Sequence, residues 1–272
     1  MKISIVTLFP KMISGFFEES IVKRAQEKEL VEIEIVDLRK FAIDNYGTVD
    51  DRPYGGGVGM IMRVDVIHSA LASVILEGAK RPIGSKKDSI VPPFAGLQND
   101  KSKKIILTSP KGNIFNQQKA QDFSKLNHLI IIAGHYEDVD ERVRDFVDEE
   151  ISMGDFVTTG GEIAASAIAD SVVRLLPGVL KKDDATLYES FMITSIKRLI
   201  EVIGENELLN KLMLEGINEV KLLEYPQYTR PEEFKGKKVP KILLSGDHKK
   251  IKEWQLKKAF EETLKKRPDL IS

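Results

Sequence analysis

The stretch Gly134–Glu162 reads GHYEDVDERVRDFVDEEISMGDFVTTGGE, and it is fed by the apolar run His128-Leu129-Ile130-Ile131-Ile132-Ala133. A short, continuous apolar run that stops at a glycine predicts a strand buried on both faces, as in a parallel sheet. Five acids follow it: Glu137, Asp138, Asp140, Glu141 and Asp145. Then comes Asp155-Phe156-Val157-Thr158, which reads as a short strand-like piece ending on Gly160-Gly161. In open α/β sheets, loops at the carboxyl ends of strands are where ligands sit. The stretch is therefore expected to bind something.

Working outward, the same alternation of strand and helix continues on both sides. Lys2–Phe9 is apolar and β-branched and predicts a strand. Lys11–Lys28 has helical spacing through Met12, Phe16, Ile21, Val22 and Ala25, and Val31–Leu38 alternates as a second strand. Asp44–Met60 is a turn-rich loop around Gly55-Gly56-Gly57, and Arg63–Gly78 returns to helix. Lys80–Ser102, with three prolines, is expected to be a surface excursion. Lys104–Ser109 predicts a strand ending in the turn Ser109-Pro110-Lys111-Gly112, Asn116–Lys125 a helix, and Gly161–Leu176 an Ala-rich helix. Such alternation argues for an α/β fold with a mainly parallel sheet. The charged stretch at 181–188 reads as a linker between a first domain, 1–180, and a smaller, mainly helical domain, 189–272. That second domain is predicted to hold helices over Ile196–Ile203, Glu207–Leu214 and Asp247–Lys266.

Composition narrows the function classes. The chain has 272 residues, 42% apolar and 31% charged, and no cysteine. Disulfides, thiolate metal sites and thiol nucleophiles are excluded, which fits a reducing compartment. No run approaches the roughly 20 apolar residues of a membrane span. Met1–Val6 starts directly as a strand and is too short for a signal peptide, so a cytoplasmic location is expected. The net charge of −1 hides an asymmetry: Lys235–Arg267 carries twelve Lys/Arg against four Asp/Glu. A local basic surface points to a polyanionic partner, or to a solvated Lys-rich helix.

Each chemical motif has a plain alternative beside it. Gly55-Gly56-Gly57-Val58-Gly59 lacks the Gly-Lys-Ser/Thr ending of a nucleotide P-loop; it reads as a backbone that approaches a ligand or another chain closely, or as a tight turn. Glu137, Asp138, Asp140 and Glu141 have the oxygen donors of a hard-cation site but no calcium-loop spacing; the alternative is a solvated helix start. The four histidines are scattered, so no zinc site is expected. Arg174, among Val172, Val173, Leu175 and Leu176, needs a partner or a cleft, and a helix-end salt bridge would also serve.

Seven motifs appear in order: TLFP, DDRPYGGGVGM (Asp50–Met60), SPKG (Ser109–Gly112), GHYEDVDERV (Gly134–Val143), ISMGDFVTTGGE (Ile151–Glu162), DSVVRLLPGVL (Asp170–Leu180) and LEYPQYTRP (Leu223–Pro231). On these the chain closely resembles the bacterial tRNA (guanine-37-N1)-methyltransferase family, TrmD, of the SPOUT class. The resemblance implies a SPOUT fold with a deep trefoil knot late in the first domain. It implies S-adenosylmethionine (AdoMet) as methyl donor, tRNA as substrate, a homodimer with the active site at the subunit interface, and a reaction that benefits from magnesium, with no protein ligands to name. Carried over by position, the AdoMet pocket takes in Leu107, Ser109, Pro110, Gly134 and Glu137. Its main wall is Met153, Gly154, Asp155, Phe156, Val157 and Thr158, followed by Gly160 and Gly161.

The resemblance also implies a catalytic arginine at Arg174 and a general base in an Asp-Ser-Phe pattern. Here that tripeptide is Glu189-Ser190-Phe191, so the implied base is Glu189, one methylene longer. Asp183 and Asp184 are its rivals. Other departures are Asp138 for a usual glycine, Val58 and Ala164 for usual prolines, and two added stretches, most of Lys80–Ser102 and of Met192–Lys221. Two other activities stay open: a SPOUT RNA methyltransferase with another target, or a tRNA-binding protein that holds AdoMet only as a ligand.

Overall fold

The computed structural model describes residues 1–78, 102–181 and 189–271. Two compact units make up the chain, Met1–Lys181 and Lys182–Ser272. The excursion expected over Lys80–Ser102 lies, up to residue 101, outside the described residues. So does the linker from residue 182 to 188, with Asp183 and Asp184.

The first unit runs β1 (Lys2–Thr7), α1 (Pro10–Phe17), α2 (Ser20–Glu27), β2 (Glu32–Asp37), β3 (Asp50–Asp51), β4 (Ile61–Met62), α3 (Val64–Gly78), β5 (Lys103–Ile114), α4 (Gln117–Phe123), β6 (His128–Ala133), β7 (Asp138–Val139), β8 (Glu149–Ser152) and α5 (Glu162–Val173). Five strands form one sheet in the order β2-β1-β6-β5-β8, every pair parallel. This is a mixed α/β fold around a central parallel sheet. β6 lies in the middle, which is why its sequence is apolar throughout: all six of its residues are buried. Side chains alternate across the sheet. Leu129, Ile131 and Ala133 join Ile3, Ile5 and Ile106 under α1, α2, α4 and α5. Ile130 and Ile132 join Val6, Ile105 and Leu107 under α3. Among the described residues no helix is long and apolar enough to cross a membrane.

Three expectations need correction. The helix expected over Lys11–Lys28 is two helices, because Ser20 has φ 54 and a left-handed residue cannot continue a right-handed helix. Asp155–Thr158 is loop; the strand lies earlier, at Glu149–Ser152. Its two acids hid it, and they are tolerated because β8 is an edge strand, where Glu149 meets the ammonium groups of Lys104 and Lys119. The strand expected to stop at Ser109 resumes beyond the turn. Thr108 and Asn113 both face Ile151, so Ser109–Gly112 loops out of one rung of the β5–β8 ladder.

The second unit holds β9 (Met192–Ser195), α6 (Ile196–Ile203), α7 (Glu207–Leu214), β10 (Glu219–Leu222), β11 (Glu233–Phe234), β12 (Lys237–Lys238) and α8 (His248–Lys266). The three long helices fall where their periodicity predicts, each capped by a side chain: Ser195, Asn206 and Asp247 accept from the amides of Arg198, Leu209 and Lys250. The stretch Met192–Lys221, expected to contribute helices, is not purely helical, since β9 and β10 pair antiparallel at its ends. Strands of four residues are too short to show a period. The core gathers Leu199, Leu209, Leu212, Val220, Leu222 and Phe260.

Candidate functional site

β5, β6 and β8 run parallel and end on one side of the sheet. The loops that leave them, with the first turns of α5, enclose a cavity of about 460 Å³. That lies within the roughly 300–1,000 Å³ of small-molecule sites. Of the residues expected there, Ser109, Pro110, Gly134, Glu137, Met153, Phe156, Val157, Thr158, Gly160 and Gly161 line it. Leu107 does not: its side chain is buried in the core on the α3 face, just short of the rim. Gly154 and Asp155 belong to the wall loop but stand off the cavity. A wider depression of about 730 Å³ between Asp51–Tyr54 and Asp140–Arg142 is lined largely by charged groups already paired, Arg63 with Asp65 and Arg142 with Asp140.

Backbone contacts make the walls. The loop after β8 folds back onto the end of β6, so that His135 and Gly160 form an antiparallel bridge. The Gly161 amide donates to the Gly134 carbonyl at 2.6 Å. Thr108 donates its hydroxyl to the Ile132 carbonyl (3.1 Å) and accepts from the Gly134 amide (3.4 Å). A Cβ at Gly161 would overlap the Thr108 hydroxyl and crowd the Gly134 amide, so only glycine permits this closeness. Thr158 ties its hydroxyl to the Gly160 carbonyl at 2.8 Å. The glycine-rich loop at 53–59 joins the antiparallel pair β3 and β4 and meets the site where the Glu137 amide donates to the Met60 carbonyl, 3.2 Å.

Asp138, Asp140 and Glu141 of the acid cluster form ion pairs. Asp138 meets Lys111 (2.8 Å) and Arg144 (3.1 Å); Arg144 also meets Glu141 (2.6 Å) and Glu150 (3.0 Å). Burial pushes the Asp138 carboxyl up, but Lys111, the Val139 amide and Arg144 outweigh it and hold the group below the usual carboxylate range. Asp140 caps the 3-10 turn Glu141–Phe146 by accepting from the Arg142 amide, so the helix-start alternative describes it. Among the described residues no three His, Asp or Glu side chains gather as a metal site.

Several lining residues were not read as pocket wall in the sequence: Thr108, Lys111, His135, Tyr136, Ile151, Ser152, Ile163, Ala164 and Ala167; Asp138, which also lines it, was read within the acid cluster. The small Ala164 and Ala167, one turn apart on α5, carried the only legible signal, as an open face of an Ala-rich helix. Beneath the cavity lies a fully buried carboxylate, Glu162, also unread. Tyr136 sits at φ 61; burial, then a hydrogen bond to Asp50, holds its hydroxyl above the usual range.

Each of the two expected catalytic residues lies within its own unit. Arg174 is half-buried at the far end of α5, and a helical rise of about 1.5 Å per residue puts roughly 18 Å between it and Glu162. Glu189 is half-buried in the second unit, where its motif meets LEYPQYTRP: the Glu224 amide donates to the Ser190 hydroxyl (3.1 Å) and the Phe191 amide to the Leu222 carbonyl (2.7 Å). α8 buries Ala259, Phe260 and Thr263 and exposes Lys249, Lys250, Lys252, Lys257, Lys265 and Lys266.

Fold and cavity together define an α/β protein with a cavity of small-molecule size where parallel strands end. Comparison makes the class specific. Residues 1–272 match the family described as tRNA (Guanine-1)-methyltransferase TrmD. Similar proteins include tRNA (guanine-N(1)-)-methyltransferases of Dictyoglomus turgidum, 45% identical over 271 residues, and of Geobacter sp. (strain M21), 45% over 272 residues, each match covering 100% of this chain and 90% of the relative. That of Shouchella clausii is 41% identical over 271 residues, covering 100% of this chain and 91% of the relative. The chain belongs to the TrmD family of tRNA (guanine-1)-methyltransferases.

Proposed function

We propose that this chain transfers the methyl group of AdoMet to N1 of guanine 37 in the anticodon loop of tRNA. What carries the reading is that three separate family motifs, within residues 109–162, line one cavity, and a fourth touches it through Met60. The cavity suits AdoMet chemically. Ile151, Met153, Ile163, Ala164 and Ala167 offer an apolar surface for a base, glycine backbones offer close polar edges, and Glu137 faces a ligand that carries positive charge. Bound there, AdoMet supplies an electrophilic methyl group.

The rest of the chemistry falls to the protein. Guanine N1 carries a proton, so its lone pair is not free until a carboxylate within hydrogen-bond reach accepts that proton. We assign this role to Glu189. As the proton leaves, negative charge spreads onto O6, where a fixed cation lowers the barrier; we assign Arg174. The length of α5 keeps Arg174 away from the cavity of its own chain, which supports a homodimer whose second copy completes the site. The trefoil knot, the AdoMet-binding role of residues 1–180 and the tRNA-binding role of 189–272 belong to the same reading. The exposed lysines of α8 support a phosphate-contacting face, and tRNA affinity should then fall steeply with salt.

The test is transfer from labelled AdoMet to unmodified tRNA with G at position 37, beside the same tRNA with A there. Label on the first alone, recovered as 1-methylguanosine, is expected. AdoMet binding without transfer would put the binding-only alternative first. Glu189→Gln should lower turnover by roughly 10²–10⁴, and Asp184→Asn should leave it nearly intact; the reverse moves the base into the linker.

A further inference from the structure

Glu162 heads α5 with its carboxylate completely buried, directly beneath the cavity wall. Two donors converge on it. The Thr7 hydroxyl donates to Oε1 at 2.8 Å, and its own oxygen already accepts the Phe9 amide at 2.9 Å. His135 Nδ1 lies 3.2 Å from Oε2. A carboxylate flanked this way accepts on both sides, so the proton between it and the ring sits on Nδ1. His135 lines the cavity, its ring held between Phe9 (4.4 Å between centroids) and Tyr136 (5.0 Å), and its backbone bridges to Gly160. At Gly160 a Cβ would overlap both His135 Nδ1 and Glu162 Oε2. Strand β1, the end of β6 and the wall loop therefore all meet at this one carboxylate.

We propose that Glu162 is a positioning residue for the methyl-donor pocket: by accepting from Thr7 and His135 at once, it fixes the His135–Gly160 rung and so pre-shapes the wall against which the ligand packs. This rests on the cavity being the AdoMet site. Glu162 touches no ligand itself, and its effect passes through His135. Pre-shaping lowers the ordering that binding would otherwise require, so the signature is affinity rather than turnover.

The test uses the purified full-length chain, calorimetry with AdoMet, and ¹⁵N NMR of the imidazoles, of which the chain has four. Wild type should show His135 with its proton on Nδ1. Glu162→Gln offers one acceptor oxygen where two donors converge. Its AdoMet Kd should rise about tenfold, with kcat at saturating AdoMet within about twofold and the Nδ1 signature lost. A Kd within about twofold of wild type overturns the proposal. Should Glu162→Gln not fold, Thr7→Val removes one donor and keeps the His135 pair; a Kd raised about threefold supports the proposal and an unchanged Kd overturns it. Wild-type protein that bound no AdoMet would overturn the cavity's assignment, and the His135 signature would then decide the Glu162 contact alone, an Nε2 proton sinking it.

Discussion

β1 carries a hydroxyl–histidine–glutamate set at each of its ends, and the two are built in opposite ways. At the amino end, Ser4 is the hub: its hydroxyl meets His128 Nε2 (2.9 Å) and donates to Glu34 (3.1 Å). Glu34 is partly exposed and pairs with Lys2 at 2.9 Å. At the carboxyl end the glutamate is the hub, fully buried and flanked by Thr7 and His135. The first set ties β2, β1 and β6 together and satisfies a buried ring. The second underlies a cavity and hands its geometry to a loop. The same residue types thus serve stability at one end and shape at the other, and what differs is which member is kept from water.

The contrast can be broken most forcefully at the carboxyl end. Gly161→Ala should push the wall loop off Gly134 and Thr108, weaken AdoMet binding about a hundredfold and destabilise the fold by roughly 1–3 kcal/mol. Calorimetry and melting would show both, and wild-type binding by this variant would mean that the wall is not closely fitted.

Acid should act through the amino end. Burial first, then the charges of Lys2 and Lys103, lower the His128 pKa to about 4, against a smaller opposing pull from Glu34 and Glu32. Above pH 6.5 the ring is neutral whether folded or not, and contributes no pH dependence. Between 6.5 and 4 the unfolded chain takes a proton that the folded chain refuses, so stability falls as pH falls, by up to about 3 kcal/mol. Denaturant melts across that range should show the slope in wild type and lose most of it in His128→Asn.

Ser4→Ala strands a buried ring nitrogen and should cost about 1–2 kcal/mol without changing AdoMet Kd, which separates the two sets cleanly. Lys2→Met should have the smallest effect, about 0–1 kcal/mol, because its pairs with Glu32 and Glu34 are near the surface. It should nevertheless raise the His128 pKa, which NMR titration would detect.

The parallel sheet was legible because buried strands write themselves as apolar runs, and β6 is the clearest. β8 was not, because an edge strand can carry two successive acids, Glu149 and Glu150, ahead of Ile151 and still pair. The break between α1 and α2 was hidden, since Phe16 to Ile21 keeps helical spacing through a residue whose backbone turns left-handed. At the cavity, the motif residues from Gly134 to Gly161 were found through resemblance, and glycine itself was the physical clue. Glu162 escaped because an acid at the head of a helix ordinarily reads as a solvated first-turn residue; only packing reveals that it faces inward. The pairing of Lys111 with Asp138 escaped because it joins positions far apart in sequence, which no local pattern records.

The departure of Ser109–Gly112 from β5 has a consequence for variation. The chain leaves the ladder opposite Ile151 and returns opposite Ile151, so the excursion begins and ends on a single rung. At the return, a Cβ on Gly112 would overlap the backbone of Glu150 and Ile151, so the rung is met only with glycine there. A residue added or removed would bring the chain back out of phase, turning Asn113 and Ile114 to the wrong faces of the sheet. Natural drift and engineering alike are therefore held to the length of this segment, and a length change should be among the rarest differences to survive there.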